Sequence, residues 1–167
     1  MKKNINFLLI FLLATTTAIA QDPPKRPGDI NVSEYDAFKN NAFDILDQST
    51  KLKANVNTID KDVKNYSGII KTVEKQTLIK DLKSLKAIKE SGEALSKKTE
   101  ELSGKSQDLL ANAKKAGLKA MSATKNTKTS VNALDTAKGH LGEVKDLVAN
   151  DVKLIQDELK ARGEPIE

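Results

Sequence analysis

The stretch that decides the fold runs from Leu85 to Ile155: LKAIKESGEALSKKTEELSGKSQDLLANAKKAGLKAMSATKNTKTSVNALDTAKGHLGEVKDLVANDVKLI. Steps of three and four residues along it meet Leu85, Ile88, Gly92, Leu95, Thr99, Leu102, Ser106 and Leu109, then Ala113, Ala116, Ala120, Ala123, Thr127 and Ser130. The same steps end on Leu134, Ala137, Leu141, Val144, Val148, Asp151 and Ile155. Ten of these 21 positions are large aliphatics and five are alanine, which is the a/d pattern of a helix packed lengthwise on another helix. An earlier stretch keeps the same spacing through Tyr35, Phe38, Ala42, Ile45, Ser49, Leu52, Val56, Ile59, Val63, Tyr66, Ile70, Val73 and Thr77. Between Thr77 and Leu85 the phase shifts by one residue, as a skip, a kink or a nearby reversal would make it. No period-two run of β-branched residues occurs. The fold class expected is all-α, either an elongated helical bundle or an antiparallel coiled-coil hairpin with heptad a/d packing.

A single helix over 33–162 would be about 195 Å long, so the chain must turn. Glycines mark the weak points, because each destabilises a helix interior. Gly68, Gly104 and Gly139 would divide the chain into three or four helices, and a single reversal at Ser91-Gly92 would instead make a hairpin. The hairpin sets small side chains of Ala113–Ser130 against large ones of Leu52–Ile70, but it also brings an acidic C-terminal section onto an acidic start. The multi-helix bundle is the preferred reading. The section Ala111–Ser130, poor in large side chains, is expected to let a partner helix approach closely. Wide apolar striping in Val131–Leu159 suits a bundle better than a two-stranded coil.

Outside this helical domain (33–162) the sequence is punctuated. Lys2 and Lys3, the apolar run Phe7–Ala14 and Ala18-Ile19-Ala20 read as a secretory signal over residues 1–20, with cleavage before Gln21. The apolar run is far shorter than the ~20 residues of a membrane-spanning helix. Residues 21–32, with Pro23, Pro24 and Pro27, read as an extended, flexible leader. Ser33 is expected to cap the first helix, with Glu34 and Asp36 at its positive end. Gly163 and Pro165 stop the last helix and leave residues 163–167 disordered. Localisation is expected to be periplasmic or secreted.

Composition narrows function more than it names it. There is no cysteine, which excludes disulfides and thiolate metal sites. Loss of Lys2 and Lys3 with the signal lowers the formal charge of +5 to +3, too little to imply nucleic acid. Gly104-Lys105-Ser106 lacks both the second glycine and the strand of a phosphate-binding loop. His140, the single histidine, has at most Glu143 beside it and reads as a solvent-facing side chain in a glycine-flanked turn or kink. The acidic pairs Glu100-Glu101, Asp157-Glu158 and Asp60/Asp62 read as solvated faces. No catalytic, cofactor or metal residue is assigned, and the protein is expected not to be an enzyme.

Local charge is more informative than the sum. Lys105–Lys138 holds seven lysines against two aspartates, and Lys71–Lys89 six lysines against one glutamate and one aspartate. The first of these contains the candidate partner-binding face: Lys114, Lys115, Lys119, Lys125 and Lys128. No aromatic follows Tyr66, so base stacking is ruled out there. The C-terminal stripe (Leu141, Val144, Leu147, Val148, Val152, Ile155, Leu159) could lie on lipid, but its acidic polar face favours core packing. The function expected is that of an exported helical interaction protein, whether adaptor, structural or chaperone-like. It would bind another envelope or extracellular protein through a helix face. The alternative is an amphipathic-helix protein on lipid or acidic polymer at the envelope surface. Homo-oligomerisation is left open.

Overall fold

A computed structural model describes residues 23–66 and 68–164; the signal segment 1–20 lies outside the described residues. Three long helices run up, down and up: α1 (Ser33–Asn65), α2 (Lys75–Asn112) and α3 (Ala120–Ala161). Their 33, 38 and 42 residues make rods of about 50, 57 and 63 Å. No strand occurs among the described residues. The architecture is a three-helix bundle, with α3 packed along both neighbours.

Every one of the 21 a/d positions from Leu85 to Ile155 is buried or half-buried, yet they do not form one helix. The chain reverses within 113–119, a short 3₁₀ segment joining α2 to α3. That connector is seven residues long, one heptad, so the three-four count passes through the turn without losing phase. The alternative of a single hairpin reversal at Ser91-Gly92 is not what forms: both residues lie inside α2. Gly92 is buried there, and a Cβ placed on it would sit 3.8 Å from Val144 Cγ1. Gly104 and Gly139 likewise lie within α2 and α3, where intrahelical hydrogen bonding and packing outweigh their low propensity. Gly68 does fall at a turn, with φ +85°, and the chain between α1 and α2 includes a 3₁₀ turn at Ile70–Thr72.

The core is layered along the bundle. At the α2–α3 end Tyr35 covers Ala113 and Ala123; its ring is 1% exposed and its hydroxyl donates to Leu109 O at 3.0 Å. The middle layer holds Phe38, Phe43, Leu46, Leu95, Leu102 and Leu134. The layer toward the α1–α2 end is aliphatic, with Val56, Leu78, Leu85, Val148 and Ile155. The small side chains of Ala111–Ser130 thus flank a reversal and receive Tyr35 from the start of α1, not the Leu52–Ile70 segment of a hairpin. Four polar residues at core positions satisfy themselves locally. Ser49, Thr99, Thr127 and Ser130 donate to Leu46 O, Leu95 O, Ala123 O and Asn126 O at 2.7–2.9 Å, which removes the penalty of a buried unpaired hydroxyl.

Both helix termini expected from sequence are present, although Ser33 makes no capping bond. Val32 occupies the cap position, and the Asp36 carboxylate reaches back to accept from Ile30 N (2.9 Å) and Val32 N (3.1 Å). These bonds hold the Asp36 pKa below its usual value. Residues 23–32 are extended but tied to the bundle. Arg26 pairs with Asp44 and Asp47 and lies over the Phe43 ring. Asp29 pairs with the buried Lys39, and Asn126 Nδ2 donates to Gly28 O at 3.0 Å. At the other terminus Gly163, φ +76°, donates to Lys160 O and Glu164 N donates to Leu159 O, closing α3.

Candidate functional site

The α2–α3 end carries the candidate lysines. Between Leu109 and Leu134 the sequence has five lysines and no acidic residue. Folding places Lys114, Lys115 and Lys119 on the connector and Lys125 and Lys128 on the opening turns of α3, all exposed. Among the described residues no carboxylate lies within ion-pair distance of any of the five; Lys119 Nζ makes a long contact, 3.4 Å, with Asn31 O. Asp108 is the nearest acid in sequence. The first turn of α3 has neither an acidic residue nor a side-chain cap, so its positive dipole end adds to the same field.

Geometry at the turn follows from one glycine. Gly117 has φ 59° and ψ −124°, a mirror-image extended conformation that residues with a Cβ avoid. It throws the next residue outward: Leu118 is 107% exposed and Met121, three positions on, is 85% exposed. No other large apolar side chain among the described residues comes close to either value; the next is Ile69 at 56%. This apolar tip was not read from the sequence. The signal for the turn was present, since Lys114-Lys115-Ala116-Gly117 is a basic helix end followed by a stop glycine. The uninterrupted a/d count concealed it.

The remaining candidates disperse. His140 sits in mid-α3, not in a turn, and is half-buried against α1. Its Nδ1 is 3.4 Å from both Ser49 Oγ and Thr50 Oγ1, and burial, then the Lys53 charge, lower its pKa. Lys53 pairs with Glu143 at 2.7 Å. Gly104-Lys105-Ser106 is ordinary α2, with Ser106 Oγ donating to Ser103 O. Glu100 and Glu101 are exposed on α2, whereas Glu158 holds Arg162 Nε at 2.7 Å. Within Lys71–Lys89, Lys75 pairs with Glu164.

The reading of Asp60/Asp62 as a solvated face holds for the exposed Asp62 but is corrected for Asp60, which turns into the core. Asp60 on α1 and Asp151 on α3 are both buried, 8% and 5% exposed. Asp60 accepts from Lys64 Nζ at 2.7 Å, while Asp151 Oδ2 has no hydrogen-bond partner. Burial, then the Asp60 charge, push the Asp151 carboxyl up to about 6.

Among the described residues no group of three or more His, Asp or Glu side chains is placed to hold a metal ion, and no helix is long and apolar enough to cross a membrane. The C-terminal stripe is packed: Leu141, Val144, Val148, Ile155 and Leu159 are buried, Leu147 and Val152 half-buried. The arrangement offers a basic, apolar-tipped end, and Asp157 and Glu158 line an open groove with Ile70, Asn150, Lys153 and Leu154. Compared with known families, curated proteins and solved structures, the chain matches no family model, no curated protein and no solved structure.

Proposed function

We propose that this is an exported, non-enzymatic helical interaction protein whose contact surface is the α2–α3 end of the bundle, and that its partner in the envelope or extracellular space is acidic. The observation that carries the reading is the gathering of Lys114, Lys115, Lys119, Lys125 and Lys128 at one end with no paired carboxylate among the described residues. Unneutralised charges of one sign raise the local concentration of an oppositely charged partner and orient it before contact. An adaptor that used a helix face is less well supported, because the a/d stripes of all three helices are taken up by the core.

The test is salt-gradient elution from an immobilised polyanion. The triple variant Lys114→Glu, Lys115→Glu and Lys119→Glu should elute at clearly lower salt than the parent. Equal elution would remove this end as the contact surface. Export is tested separately: N-terminal sequencing of the protein recovered from the native cell envelope or medium should begin at Gln21.

A further inference from the structure

We infer that the α2–α3 end docks on an anionic lipid bilayer, with Leu118 and Met121 inserting among the headgroups and the lysines lying over the lipid phosphates. This rests on the reading that the lysine-rich end is the contact surface, and it names the partner.

Three observations select a bilayer over an acidic protein. First, the exposed apolar surface is two side chains, Leu118 on the connector and Met121 on the first turn of α3, too few to make the apolar core around which a specific protein–protein interface is built. Side chains that stand free of the fold in this way can enter a fluid bilayer without a preformed pocket. Second, the charged side chains are all lysine, a residue depleted from protein interfaces. Its long apolar stem and mobile ammonium suit a headgroup layer, where the stem lies along buried surface and the charge stays at the phosphates. Third, both signals that peripheral membrane binding requires meet at one point. A modest apolar insertion alone gives only marginal binding and needs a polybasic patch beside it; here Leu118 and Met121 are 107% and 85% exposed within a stretch free of acids from Leu109 to Leu134. Each lysine close to an anionic surface strengthens binding by about fivefold, within a Debye length of the lipid. In this geometry the bundle stands on its end, and the packed C-terminal stripe takes no part.

The experiment is flotation of the full chain with vesicles of phosphatidylcholine containing phosphatidylglycerol, beside vesicles of phosphatidylcholine alone. The parent should float with the anionic vesicles and be released by salt. Leu118→Ser with Met121→Ser should weaken that binding by about tenfold or more, leaving the thermal melt and the polyanion elution unchanged, because neither side chain packs on the core. Since the chain has no tryptophan, Leu118→Trp gives a single reporter whose emission should shift to the blue on anionic vesicles. Unchanged flotation of the double serine variant, no shift from Leu118→Trp, or equal binding to neutral vesicles would each overturn the bilayer inference while leaving the basic contact surface standing. Absence of both vesicle binding and polyanion retention would defeat the two together.

Discussion

The two ends of the bundle are built in opposite ways. At the α1–α2 end, Arg162 reaches back from the end of α3 and donates from Nη1 to Val73 O at 2.7 Å and from Nη2 to Ile70 O. Glu158 holds the same guanidinium, Lys75 pairs with Glu164, and the Tyr66 hydroxyl donates to Asp81 at 3.0 Å. There the carbonyls of Ile70 and Val73 and the charges of Arg162 and Lys75 find partners, while Ile69 stays 56% exposed. At the α2–α3 end the anchoring lies beneath the turn, in Tyr35 and the alanines it covers, and the outer surface carries exposed lysines, Glu34 on the first turn of α1 and two uncovered apolar side chains. The contrast is the basis on which the α2–α3 end is proposed as the contact surface.

That contrast can be broken or sharpened by mutation. The largest effect is expected beneath the open end: Tyr35→Ala should destabilise by about 3–5 kcal/mol through the cavity left over Ala113 and Ala123, measured by urea unfolding. Tyr35→Phe should lose only about 1 kcal/mol, the net value of the bond to Leu109 O.

Second in size is Asp151, in the layer toward the closed end. A carboxyl raised from 3.8 to about 6 in the fold binds its proton more tightly folded than unfolded. Its stabilising contribution is therefore full below about pH 4 and is lost as pH rises to about 6, a fall of about 2–3 kcal/mol. Asp151→Asn should flatten that segment of the pH–stability curve and stabilise the protein at neutral pH; an unchanged curve would show that the Asp151 carboxyl is not raised by burial in the fold. Asp36, whose pKa is lowered, acts with the opposite sign and weakens the protein as pH falls.

Arg162→Ala should uncap Val73 O and Ile70 O and remove about 2 kcal/mol, with faster amide exchange confined to 66–78. The smallest effects compare two glycines. Gly117→Ala should destabilise by about 1–2 kcal/mol because of its positive φ, whereas Gly104→Ala should stabilise by up to about 1 kcal/mol, as in any open helix interior. Equal responses would mean that 113–119 is not the reversal.

Much of this was legible in the residues themselves. The three-four spacing announced helices and named most of their buried positions, because an apolar stripe at that period can be buried only against another helix; Phe43, Leu46 and Ala133, which flank the stripe, it missed. Ser33 and Gly163 marked the outer boundaries. The position of the second turn was not legible, because a connector of one heptad preserves the count that a turn should interrupt. Lys114, Lys115, Lys119, Lys125 and Lys128 stood out as an acid-free run, but Leu118 resembled any other apolar residue until its neighbour Gly117 took a conformation that lifts it from the core.

The sequence by itself determined an all-α chain, its core stripes, the absence of thiol chemistry and a local excess of lysine, since these depend on residue type and on spacing along one helix. Only the tertiary structure decided where the helices reverse, that Asp60 and Asp151 are buried within reach of each other's charge, and that five lysines share an end with two exposed apolar side chains. Those are relations between residues on different elements, and no one-dimensional period encodes them.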